Sequence, residues 1–417
     1  MHIRKFFAMI FSALFLFSVF PAAVYADDGI VEVPQIKVII NGKNIVFDDV
    51  IIASKGRNLL PLRVLLTNLG VQNDNEHIIW NGSEKSITII KDSTKVKLFQ
   101  GSNVAYLNDV PIQLDVPPVG YSKNGRTYIP ARFVAQSLGK IVKWDNSTKS
   151  IIINDPKQVI VDSADELVAA MGSDTKIILK KGVYNLSKVK QEYTENNIFW
   201  ESVFDGNQLV IKGVENLTME GEGDSPAEIV VEPRYANVFS FRDSNNITIK
   251  NIKTGHTPEQ GECAGGVLVF DGGGNISILD SDLYGCGING LTLNNVNTLL
   301  FANSTIRDCN TAIMILNNSK DIGFYKSAFS GNQGYSYGIE ATNNSSLSFD
   351  ACDFTNNKIG AGYFFSFSLS KIAVKNSRIY NNSYPELASD PAVLTMENTE
   401  IEGNESVDDS WSIATGK

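Results

Sequence analysis

Histidine and cysteine are scarce in this chain. It has 3 His in 417 residues, and its 4 Cys, Cys263, Cys286, Cys309 and Cys352, all fall in the C-terminal half. No CxxC pair and no Cys/His cluster occurs, which argues against a structural zinc site. Basic residues are outnumbered, 36 Lys and Arg against 46 Asp and Glu. That balance argues against nucleic acid as a partner and against plain attraction to anionic polymers, while neutral glycans, or acidic ones bridged by cations, stay compatible. Beyond the first stretch of the chain no apolar run reaches the roughly 20 residues of a spanning helix.

That first stretch, Phe6 to Phe20, follows a basic start of His2, Arg4 and Lys5 and precedes Val24-Tyr25-Ala26. A basic segment, a short apolar core and small residues ahead of Asp27 have the pattern of a secretory signal. Residues 1–26 are therefore expected to be removed, leaving no transmembrane anchor and placing the protein outside the cell or on its surface. Loss of Arg4 and Lys5 takes the net charge from −10 to −12. About 390 residues then remain, more than one core usually organises, so two or three domains are expected. At the other end, 406–417 is a polar tail without an LPxTG-like signal.

Residues 35–155 contain a duplication. Arg57-Asn58-Leu59-Leu60-Pro61-Leu62-Arg63 with Leu69-Gly70, Trp80 and Ile87-Thr88-Ile89 matches Arg126-Thr127-Tyr128-Ile129-Pro130-Ala131-Arg132 with Leu138-Gly139, Trp144 and Ile151-Ile152-Ile153. Each copy reads as a short strand, a helix of about nine residues opened by Pro and closed by Gly, and a hairpin. Arg63 and Arg132 suit stems packed over Trp80 and Trp144 better than a ligand site. The two copies resemble the copper amine oxidase N-terminal-like, or stalk, domain of exported proteins. The resemblance implies a spacer or wall-proximal binding module. Copper oxidase activity does not follow, because His2 leaves with the signal and His77 and His256 alone cannot build such a copper site.

From 158 to 405 the chain repeats differently. Ser163-Ala164-Asp165-Glu166 is a capping box opening a short helix, and an apolar strand and Gly182-Val183-Tyr184-Asn185-Leu186 follow. Apolar-x-apolar pairs then recur at Leu217/Met219, Ile247/Ile249, Ile276/Ile278, Leu299/Phe301, Ile322/Phe324, Leu347/Phe349, Ile372/Val374 and Leu394/Met396. Steps of about 23 residues with two or three short strands each are coils of a parallel β-helix. Other positions keep step: Ser281, Ser304, Ser327, Cys352 and Ser377 form a small-residue column, and Cys286, Cys309, Asn332, Asn357 and Asn382 a turn ladder. Cys263, Cys286 and Cys309 are equally spaced, which suits a column of buried thiols, a disulfide between neighbours, or a reactive thiol. The entry segment resembles that of pectate-lyase-like β-helices, where the helix covers the first coil. The fold expected is mainly β: a right-handed single-stranded parallel β-helix preceded by a small duplicated α/β domain.

Function is written less clearly. The insertion 255–262 interrupts one coil and carries the β-helix's single His, His256, and loops of this kind are where ligand contacts are placed. Column arithmetic sets Tyr284 and Arg307 beneath Gly255, with Arg234 and Tyr235 on a turn of the coil before, and Trp200-Glu201 before that. His256, Arg234, Arg307 and Glu201 are the candidate catalytic groups, and Tyr284, Trp200, Tyr235 and His256 the candidate ligand contacts. No metal site or cofactor is expected; calcium would need an Asp cluster that this stretch lacks. The segments Trp200-Glu201, Glu232-Pro233-Arg234-Tyr235, Gly255-His256-Thr257-Pro258, Gly265-Gly266-Val267-Leu268 and Leu283-Tyr284-Gly285-Cys286-Gly287 resemble a bacterial group of right-handed β-helix repeat proteins. Polygalacturonase-type patterns are missing, Gly255-His256-Thr257 being the nearest and no Asp-Asp occurring between 158 and 405. Two functions are expected to compete: a surface protein binding glycan or cell-wall polysaccharide, and a secreted polysaccharide lyase or glycoside hydrolase.

Overall fold

The computed structural model describes residues 29–190, 197–257, 264–285 and 288–407. The expected signal peptide, Cys263, Cys286, most of the 255–262 insertion and residues 408–417 lie outside these. Within them the chain is mainly β, ending in a solenoid of about seven turns.

In the duplicated module, helices Leu62–Asn68 and Ala131–Ser137 start directly after Pro61 and Pro130. Both have seven residues, shorter than the spacing suggests, because Leu69 and Leu138 already leave helical backbone and Gly70 and Gly139 turn left-handed at φ +84 and +74. The strands ahead of the helices pair antiparallel, with Leu60 opposite Ile129, Pro61 opposite Tyr128 and Leu59 opposite Pro130. Leu60 and Ile129 are equivalent positions of the two copies, so the pairing is symmetric about them. Hairpin Ile141–Asp145 with Ser150–Asn154 continues into Lys37–Ile40, which pairs parallel to its second strand. Arg63 donates to Asn73 Oδ1 at 2.8 Å, while Trp80 and Trp144 are 49% and 40% exposed.

Beyond Lys157 the strands run parallel and stack in register. Leu217, Ile247, Ile276, Leu299, Ile322, Leu347 and Ile372 face one another in succession. So do Thr254, Leu283, Ile306, Phe329, Phe354 and Ile379 on a second sheet. Aromatic rungs fill the interior: Phe324 stacks on Phe349 at 4.7 Å and Phe329 on Phe354 at 4.8 Å. Such stacking adds to burial.

Polar ladders stitch the corners. The N–H of Ile252, Ser281 and Ser304 donates to the hydroxyl of Ser281, Ser304 and Ser327 one coil on, and that of Cys352 to Ser377. Asn332, Asn357, Asn382 and Asn404 accept in the same way from Cys309, Asn332, Asn357 and Asn382. Ser319, Ser345 and Ser370 form a further ladder under Val296. Each side chain satisfies a corner N–H that the sheets leave unpaired.

The N-terminal end is closed. Helix Ala164–Ala170 buries Leu167 and Val168 against the first coil. Ser163 Oγ accepts from the N–H of Glu166 at 3.3 Å, and Glu166 reaches back to the N–H of Asp162 at 3.0 Å. One element breaks the parallel pattern: Ile198–Val203 and Gly206–Lys212 form an antiparallel hairpin turning at Phe204-Asp205.

Candidate functional site

The hairpin 198–212 and the turn Pro233-Arg234-Tyr235 meet at one edge of the solenoid. Asp205, at the hairpin tip, accepts the N–H of Arg234 at 2.6 Å and of Tyr235 at 3.1 Å. This clamp sets Tyr235 beside Phe204, ring centroids 5.0 Å apart. Phe204 is 86% and Tyr235 44% exposed. Below them runs a hydrogen-bonded row. Arg242 Nη2 donates to Glu201 Oε2 at 2.6 Å, as does Gln208 Nε2 at 2.7 Å. Gln208 Oε1 accepts from Asn237 Nδ2 at 3.0 Å, and Asn237 Oδ1 accepts from the N–H of Gly266 at 2.8 Å. The Arg242 guanidinium holds the Glu201 carboxyl below the usual carboxylate range, with Gln208 adding to it and burial opposing. Glu201 is thus an acceptor at neutral pH. Trp200 is partly buried against the solenoid core.

His256 is the last residue of strand Ile252–His256 and is buried. The sequence reading of a histidine on a projecting loop is corrected here: the strand runs on through His256, opposite Val231, before the insertion begins. Its Nε2 lies 2.8 Å from the carbonyl oxygen of Ala236. A carbonyl only accepts, so Nε2 carries the proton and Nδ1 is the bare nitrogen. That Nδ1 is buried with no hydrogen-bond partner among the described residues. Burial lowers the imidazole pKa, the Ala236 contact opposing and Arg234 adding to the shift.

Tyr284 and Arg307 stand in register beneath Gly255, on a different sheet from the hairpin. Tyr284 Oη donates to Glu228 Oε1 at 2.6 Å. Its ring lies between Lys253 Nζ at 4.6 Å and Arg307 Cζ at 5.0 Å. Lys253 pairs with Glu228 at 2.9 Å, and Arg307 forks onto Asp282 and reaches Asp308 at 2.6 Å. Burial and the adjacent Glu228 push the Tyr284 phenol up. The cluster braces four successive coils. Its charges are already satisfied internally.

The structure therefore divides the candidates. Arg234, Tyr235, Trp200 and Glu201 share the hairpin edge, His256 lies buried beside it, and Tyr284 and Arg307 belong to the brace. Phe204, Gln208, Asn237 and Arg242 stand beside these candidates and were not singled out in the sequence. The Asp205-Gly206 turn signal between alternating segments marks the hairpin that carries Phe204, but nothing local marks Arg242. Cys309 is a buried free thiol whose pKa burial raises, and Cys352, also buried and free, is pushed up to about 12. Both thus stay protonated. Among the described residues no group of three or more His, Cys, Asp or Glu is placed to hold a metal ion, and no helix is long and apolar enough to cross a membrane.

Residues 39–153 match the family model of the copper amine oxidase N-terminal domain, and residues 236–408 that of the right handed beta helix region. No curated protein matches the sequence. Among solved structures the chain is similar to the pectin methylesterase from Aspergillus niger, at 12% identity over 60% of this chain and 85% of that one, with a TM-score of 0.38. It is also similar to an alginate lyase from Paenibacillus sp. str. FPU-7, at 9% identity over 60% and 99% with a TM-score of 0.29. PfbA, a surface adhesin of Streptococcus pneumoniae, gives 10% identity over 60% and 74% with a TM-score of 0.32.

Proposed function

We propose that this is an exported surface protein whose duplicated module presents a β-solenoid, and that the solenoid binds a neutral glycan at the hairpin edge. The observation that carries this reading is the exposed Phe204–Tyr235 pair, held by the Asp205 clamp above the Glu201–Gln208–Asn237–Arg242 row. Aromatic faces take up the C–H faces of a sugar ring, and a row of fixed acceptors and donors takes up its hydroxyls. The net negative charge favours an uncharged polymer over an anionic one.

A lyase or hydrolase at the same place would need a base or acid that reaches substrate. His256 keeps its bare nitrogen buried, and Glu201, tied to Arg242 and Gln208 with its carboxyl pKa lowered, is a weakened base and no acid at neutral pH. The binding reading is favoured for that reason.

Titration calorimetry against a panel of neutral oligosaccharides tests it. One member is expected to bind, and the double variant Phe204→Ala/Tyr235→Ala to weaken that binding by at least about tenfold with an unchanged circular dichroism spectrum. Affinity unaffected by the double variant, or turnover of any panel member that a His256→Ala variant loses, would overturn it.

A further inference from the structure

A helix covers the first coil, whereas the last described coil, Thr395–Glu397, Glu400–Glu402 and Glu405–Ser406, ends its sheets with one side of each strand unpaired by any described strand. The interior stacks run out into this end: Val374 and Ile379 are fully buried, but the next rungs, Met396 and Ile401, are 40% and 44% exposed. Open apolar rungs beside unpaired backbone form a template for another strand.

The charges specify which strand fits. Down one outer column Asp353 is followed by Arg378, forked onto it at 2.8 Å, and then by Glu400. Down another, Asp350 is followed by Lys375, paired at 2.8 Å to the Glu397 that comes next. Both columns alternate in sign and stop on a glutamate. Glu402 and Glu405 stand over the uncharged Tyr380 and Ser383. A shallow depression of about 340 Å³, lined by Asp353, Arg378, Glu400, Asn376 and Asn398 among others, flanks the same edge.

We propose that this C-terminal edge docks a strand of a partner protein that alternates cationic and apolar side chains, cation–apolar–cation in register with Glu400-Ile401-Glu402. Main-chain hydrogen bonds to the open edge would hold it, and the outward cations would continue the alternation. A second copy of this chain meeting end to end would set these glutamates against their own kind. The sequence of 408–417, with Asp408, Asp409 and the single cation Lys417, contains no alternation of cationic and apolar residues.

The test uses the full-length protein and two short fluorescent peptides, one alternating Lys and Val, the other Glu and Val. The Lys/Val peptide is expected to bind and the Glu/Val peptide not. Glu402→Lys alone should weaken binding about threefold, and Glu397→Lys/Glu400→Lys/Glu402→Lys at least about tenfold. Glu222→Lys/Asp224→Lys, a charge change on an exposed turn near the other end, should leave it unaltered. Bound peptide should slow hydrogen exchange at the Ile401 amide, which points to the open side because Glu400 N–H is already bonded back to Ser377. Four outcomes overturn the proposal: no binding, equal weakening in both charge variants, that amide already slow in the free monomer, or its protection only in a dimer that light scattering detects without peptide.

Discussion

At His256 a single carbonyl decides where the ring proton sits, and burial decides how hard it is to add a second one. The folded pKa lies below the ordinary value of about 6.5, so as pH falls the unfolded chain takes up the proton first. Stability from this residue is complete above about pH 6.5 and is lost as pH falls through that value towards the lower folded pKa. Against a His256→Gln variant, the wild type should lose unfolding free energy in urea between about pH 7 and about pH 5. A difference between the two proteins that stays constant over that range would refute the assignment. The register neighbours Tyr284 and Arg307 were legible in the sequence because the step between coils is regular. Their saturation was not, because it is made by Glu228 and Lys253 around Tyr284 and by Asp282 and Asp308 around Arg307, whose approach depends on which way side chains lean.

The coil-to-coil stacking of strands is tight enough that side-chain size is limited by backbone. A Cβ on Gly255 would lie 2.2 Å from the carbonyl oxygen of Tyr284 and 2.9 Å from its ring, so Gly255→Ala must displace either the strand or the brace. It is expected to cost about 3 kcal/mol or more. Gly172→Ala, where a Cβ meets nothing within 4 Å, should change the melting temperature little; equal melting of the two variants would show that the strands give way. Elements built by repetition were the most readable ones: the serine and asparagine corners sit at a near-constant step, so one sequence column is one line of hydrogen bonds. The ladder of Ser319, Ser345 and Ser370 obeys the same rule, with steps of 26 and 25, but lies outside the columns first aligned. The hairpin 198–212 has no counterpart in other coils. Periodicity has nothing to say about it, so Phe204 at its tip stayed hidden while Tyr235, on the neighbouring turn, did not.

Over the whole molecule, the cores of the module and of the solenoid share no residue, and an exposed ion pair, Lys143 with Asp174, links the two parts near their junction. Separate cores with polar contact between them unfold separately. Calorimetry should therefore show two transitions, and Leu60→Ala, which empties a fully buried position of the module, should lower one by several degrees, roughly in line with a loss of about 2–5 kcal/mol. A single transition, or a shift in both, would show that the parts are coupled. The symmetric pairing of Leu60 with Ile129 has a consequence of its own. Each copy supplies the strand that completes the other's sheet, so the module is in effect a dimer whose subunits are covalently tethered. Divergence on one side of the axis is constrained by what the other side can accommodate, and neither half is free to drift alone.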